Sequence, residues 1–134
     1  MSIRFLNVDL EVESDQELSA LVSGFGDRVL DLYCGPVDSH HRATLELDMM
    51  VSDPDSAILH FCKLIESLEG GALGLWEKSF SRVFDIGYRS GHEPRCYESD
   101  LRSETIKKVA KLGASIRVTI YPPDEPGPRP LSGA

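Results

Sequence analysis

Cysteine is scarce and odd in number. The chain has Cys34, Cys62 and Cys96, with no CxxC spacing. This excludes a disulfide framework and fits a reducing compartment. Long apolar runs are missing: no stretch approaches the roughly 18 residues that a membrane helix needs, so no membrane partner is expected. The first residues show no basic region followed by an apolar run, so no signal peptide is expected, and a cytoplasmic location follows. Positive charge is short where it would matter for nucleic acid. Met1 to Gly70 holds 14 acids against 4 bases, and Gly71 to Ala134 holds 8 acids against 10 bases, for a net charge of −8. Binding a phosphate backbone needs clustered Lys and Arg, so nucleic acid is not an expected partner.

Several catalytic and ligand motifs are missing as well. There is no GxSxG elbow to support a triad drawn through Ser39-His40. Gly70-Gly71-Ala72-Leu73-Gly74 has no Lys-Ser/Thr after it and follows no strand, so it is not a phosphate loop. No DxDxDG loop supports Ca²⁺ or Mg²⁺. His40-His41 and His92-Glu93-Pro94-Arg95-Cys96 offer zinc at best one half-site, because adjacent histidines rarely ligate one ion. Cys34, in register with Leu30 and Leu32, reads as a buried thiol rather than a nucleophile. No cofactor and no metal are expected.

What the chain has instead is alternation. Leu6, Val8, Leu10 and Val12 alternate with Asn7, Asp9, Glu11 and Glu13, which predicts a strand over Arg4–Glu13. Ser14-Asp15-Gln16-Glu17 reads as a capping box opening a helix with Leu18, Leu21, Val22 and Phe25 inward, ended by Gly24 and Gly26. Strands are expected over Arg28–Cys34 and Ala43–Val51, with a polar turn from Gly35 to His41 between them. Asp53-Pro54 starts the clearest helix, with Ala57, Ile58, Phe61, Cys62, Leu64, Ile65 and Leu68 inward and Gly70-Gly71 closing it. Ala72–Ser81 reads as a short helix or an ordered loop carrying Trp76. A strand over Arg82–Arg89, a loop, a helix over Ser103–Leu112 with Ile106, Val109 and Ala110 inward, and a strand over Ser115–Tyr121 complete the pattern.

This order predicts one α+β domain over residues 1–121. Its ferredoxin-like βαββαβ core would be extended by a further helix and strand, with a mostly antiparallel sheet and helices on one face. Residues 122–134 contain five prolines and two glycines and are expected to be a disordered tail. The pieces Trp76, Arg82-Val83-Phe84-Asp85-Ile86-Gly87, Leu101, Lys111-Leu112-Gly113-Ala114-Ser115 and Thr119-Ile120-Tyr121-Pro122 together resemble a family of small uncharacterised bacterial proteins, a domain family of unknown function. The resemblance implies a bacterial origin and a compact α+β domain, and brings no catalytic residues. In physical terms the same segment is scaffold, with Trp76 a core anchor.

The chemistry with any reach along the chain is carboxylate on alternate strand positions: Asp9, Glu11, Glu13, Asp31, Glu46 and Asp48, joined by Asp85 if Phe84 and Ile86 face the core. Like charges opposite one another across strands are unfavourable, so such a set needs arginines beside it (Arg28, Arg42, Arg82 or Arg117) or a partner. The expected function is a non-enzymatic interaction domain that docks a basic protein on an acidic sheet face, a toxin-immunity protein being the most concrete version. A solvated outer face is the plainer account. The competing class is a ligand-binding or hydrolytic enzyme using carboxylates and arginines on the same face.

Overall fold

The structure is a computed structural model and describes residues 1–123. Alternation in the first segment produces strand β1 (Arg4–Ser14), with Val8, Leu10, Val12 and Ser14 buried. The expected capping box does not form. Ser14 ends the strand and its hydroxyl accepts from the Gln16 N–H at 3.1 Å, while the Glu17 carboxylate accepts from the Ser19 N–H at 2.8 Å. Helix α1 therefore begins later, at Ser19–Phe25, followed by a 3-10 turn at Gly26–Arg28.

Strands β2 (Val29–Val37) and β3 (His40–Leu47) form a hairpin. The polar stretch expected to be a loop is mostly strand. The chain reverses over Asp38-Ser39, with Asp38 at φ 54°. Pro36 is tolerated because β2 is an edge strand, where a missing N–H breaks no inner ladder. Helix α2 (Pro54–Glu66) forms as its sequence signals, with the Asp53 carboxylate accepting from the Ser56 N–H at 2.9 Å. Gly70, at φ 55°, does not close α2. It opens a separate helix α3 (Gly70–Lys78), which resolves the ambiguous stretch as helix and buries Trp76.

Strand β4 (Ser81–Arg89), helix α4 (Ser103–Lys111) and strand β5 (Ser115–Tyr121) complete the described chain. The inward stripe of α4 differs from expectation. Thr105 and Val109 are buried, with Leu112 half-buried behind them, whereas Ile106 and Ala110 point outward. The helix starts where expected, and its anchoring to α2, where the Asp55 carboxylate accepts from the Arg102 N–H at 2.9 Å, goes with the inward Thr105, Val109, Leu112 stripe. The Pro/Gly-rich tail, apart from Pro122 and Pro123, lies outside the described residues.

The result is an α+β fold with a five-stranded open sheet in the order β2-β3-β1-β4-β5. β1 is central and antiparallel to both β3 and β4. β2 is antiparallel to β3, and β5 is parallel to β4 across the α4 crossover. One core joins the inner face of the sheet to the buried residues of all four helices, including Leu10, Leu45, Phe84, Leu21, Ile58, Phe61, Trp76 and Val109. The Phe61 ring packs tilted against Phe84, with ring centres 5.8 Å apart. Each such side chain contributes about 2–3 kcal/mol of burial.

Arg82 belongs to this scaffold. Its guanidinium lies 5.2 Å from the Trp76 ring centre. It donates to the carbonyls of Trp76 (2.7 Å), Glu77 (3.0 Å) and Gly113 (3.3 Å), and so ties the end of α3 to the turn before β5. Gly113 sits at φ 72°, and a Cβ there would lie 2.5 Å from an Arg82 nitrogen.

Candidate functional site

With the helices on one face, the alternate residues of each strand line the other. The register places them in rows. One row crosses the whole sheet: Leu30, Glu46, Asp9, Asp85 and Arg117. The next holds Tyr33, Thr44, Glu11, Val83 and Ser115, and a third holds Gly35, Arg42, Glu13 and Ser81. Asp9, Glu11, Glu13, Glu46 and Asp85 thus share one surface.

Asp31 and Asp48 do not join them. Asp31 pairs with Leu45, on the core side of the sheet, and is exposed only because β2 is the edge. The expected pattern is inverted there: Leu30 pairs with Glu46 and shares the carboxylate face, and a bulge between Asp31 and Tyr33 then brings Tyr33 rather than Leu32 opposite Thr44. Asp48 lies just past the end of β3. It lines a cleft of about 330 Å³ with Arg28, His60 and Lys63, beside the helices.

The carboxylates differ in how they are balanced. Glu13 meets His40 Nε2 at 2.6 Å and Arg42 at 3.1 Å, and that hydrogen bond from His40, with Arg42 beside it, holds its carboxyl below the usual range. His40 is braced edge-on by Phe80. Arg117 reaches Glu11 at 3.5 Å and Asp85 at 3.6 Å, and Asp85 also accepts from the Thr119 hydroxyl at 2.7 Å. Of the four arginines expected to balance this face, Arg42 and Arg117 reach its carboxylates, and the register puts Arg89, paired with Arg4, on the same side. Arg82 is on the other side of the sheet, and Arg28 is in the 3-10 turn.

Asp9 is different. Its side chain accepts from Asn7 Nδ2 at 3.2 Å and is flanked across the strands by Glu46 and Asp85. Burial first, then the charges of Glu46, Asp85 and Glu11, push its carboxyl up to about 6. It sits directly opposite like charge, at roughly 5 Å between Cβ atoms. Asn7 and Thr119 are hydrogen-bonding neighbours of these carboxylates that the acidic pattern does not mark. Both lie two positions from a residue already singled out, Asp9 and Arg117, so the same alternation points to them.

Chemically this is an array of acceptors facing outward. Asp9, Glu11, Glu13 and Asp85 line none of the four clefts described for this fold; Glu46 touches the edge of one of about 100 Å³. Cys34 pairs with Ala43 on the core side, where burial, then Asp31 and Glu17, push its thiol up. His40 is on the opposite face, so the two do not form a nucleophile–base pair. Cys62 is fully buried and its thiol is pushed up to about 11. Among the described residues, no three His, Cys, Asp or Glu side chains converge as ligands for one metal ion. No helix of the described chain is long and apolar enough to cross a membrane. No protein-family model matches the chain, and no curated protein or solved structure matches it either.

Proposed function

We propose that the protein is a non-enzymatic interaction domain that docks a basic protein partner on the open face of its sheet. The observation that carries this reading is the Asp9–Glu46–Asp85 row. Its like charges lie side by side at the centre of the sheet, and among the described residues only Asp85 has a cation beside it. A Lys or Arg supplied from outside would relieve that repulsion and draw on it for binding. Exposed Leu30 and Tyr33 in the same and adjacent rows supply the apolar anchors that interfaces place next to their charges. The breadth and shallowness of the face suit a protein better than a small ligand.

Two finer points belong to the same reading. The order β4-β1-β3-β2, with β1 between two antiparallel neighbours, supports a ferredoxin-like core to which α4 and β5 are added. A toxin-immunity role in a bacterial cytoplasm is the most specific version, since neutralising a basic enzyme needs a preformed acidic surface and no chemistry.

The test compares affinity capture by the wild type and by Asp9→Asn/Glu46→Gln at low and high salt. We expect a basic protein that is retained by the wild type, lost with the variant and released by salt. Recovery of the same proteins by both would remove the acidic row as the docking site. For the immunity version, co-expression with a toxin encoded beside this gene should protect the cell, and the double variant should not.

A further inference from the structure

The two edges of the sheet are not alike. β2 is blunted by its bulge and by Pro36, two devices that discourage further pairing. β5 has neither. It presents Ile116, Val118 and Ile120 on one face with no proline inside the strand, and among the described residues it has a ladder partner only on the β4 side. Val118 is 56 % and Ile120 65 % exposed. On the flank of α4 away from α2, whose Glu66 holds Lys108, Ile106 is 49 % exposed. Beside β5 runs a cleft of about 450 Å³ lined by Ile3, Tyr88, Tyr97, Val118 and Ile120.

The backbone fixes which groups are free. The Tyr121 carbonyl accepts from the Ser90 N–H at 2.8 Å, so Tyr121 turns its peptide groups toward β4. Alternation then turns the N–H and C=O of Ile120, Val118 and Ile116 outward. Exposed Val118 and Ile120, and half-buried Ile116, are thus the residues of β5 whose ladder groups have no partner among the described residues.

We propose that the occupant of this edge is a second copy of the chain, joined by antiparallel β5–β5 pairing about a two-fold axis through Val118. In that register Val118 meets Val118 of the partner subunit and Ile116 meets Ile120 of the partner subunit. Every pair is of the hydrogen-bonded kind and exchanges both of its bonds. The neighbouring registers are worse. Centring on Arg117 sets it against its own copy, and centring on Thr119 sets Ile116 against Pro122, which has no N–H. With Val118 on the axis, Arg117 stays turned to Glu11 and Asp85 of its own sheet, so no like charge faces another across the seam. The sheet becomes continuous across the dimer, and the carboxylate faces of both subunits lie on one side.

An edge seam with one helix flank is a small interface, so a dissociation constant on the order of 10 μM is expected. Sedimentation over a concentration series should show a monomer–dimer equilibrium. Val118→Lys, at an exposed position, should weaken it at least tenfold while leaving the circular dichroism spectrum unchanged. In a Cys96→Ser background, Val118→Cys should cross-link on oxidation and Ile116→Cys should not, because only residue 118 faces its own copy. A chain that stays monomeric at millimolar concentration would overturn the proposal. So would a dimer indifferent to Val118→Lys, or equal cross-linking from both cysteines. A chain ended at Pro123 that dimerises while the full chain does not would show that the tail is the occupant instead.

Discussion

Asp9 is the residue at which the sheet works against itself. Its pKa of about 6 in the fold stands against an ordinary 3.8. The folded chain therefore binds the extra proton between about pH 4 and 6, stability falls as pH rises through that window, and the penalty is complete above it. Fully buried, such a displacement would be worth about 3 kcal/mol. For a half-solvated carboxyl about 1 kcal/mol remains. Asp9→Asn should stabilise the protein by about that much at pH 7–8, and the gain should vanish near pH 4. Urea unfolding of both proteins across pH 4 to 8 reads this directly, and a pH-independent difference would contradict it. Arg82 is the opposite case, a side chain whose fork holds several carbonyls at once. Arg82→Lys keeps the charge and loses the fork, so a loss of about 2 kcal/mol is expected in the same assay. Asp9, Glu11, Glu13 and Asp85 were legible because strict alternation survives in the two long central strands. Asp31 was not, since a bulge has no fixed sequence sign and resets which side chain faces which side.

Among the elements, α2 was legible because Asp53-Pro54 and a broad apolar stripe agree with each other. The start of α1 was not: Ser14 is buried at the end of β1, and its hydroxyl serves the Gln16 amide there. Gly24 reads as a stop signal but lies inside α1, where a Cβ would come within 2.6 Å of the Ala72 Cβ on α3. Its work is close helix–helix approach, so Gly24→Val should force α1 and α3 apart and cost about 1–3 kcal/mol, seen as a lower Tm. Helix α4 is pinned from outside itself. Asp55, in the first turn of α2, accepts from the Arg102 N–H at 2.9 Å and from Arg102 Nε at 2.8 Å. Burial alone would raise the Asp55 carboxyl. The nearby Thr105 hydroxyl and the Arg102 donors outweigh it and hold the carboxyl below the usual range. Asp55→Ala should speed amide exchange through residues 103–111 well beyond any change in α2. Equal effects in both helices would mean general loosening instead.

At the scale of the molecule, four of the fourteen acids in the first seventy residues, Asp9, Glu11, Glu13 and Glu46, become one surface, because β1 and β3 lie side by side at the centre of the sheet. If that surface recruits by charge, the association rate of a basic partner should fall steeply between 50 and 300 mM salt while its dissociation rate changes little, which stopped-flow measurements would separate. Whole-fold features were legible in proportion to how local they are. Element order came through; the placement of β1 between β3 and β4 depends on pairings between distant segments and leaves no mark on either strand alone. That placement has a consequence for how the chain is made. β1 is synthesised before both strands that flank it, and β4 ends at Arg89, some forty residues after β3 ends at Leu47. At ribosomal speed that interval lasts about 2–8 s. For that time the growing chain holds its most acidic strand with one side unpaired, and mutual repulsion between nascent copies on one messenger would keep those open strands apart until β4 arrives.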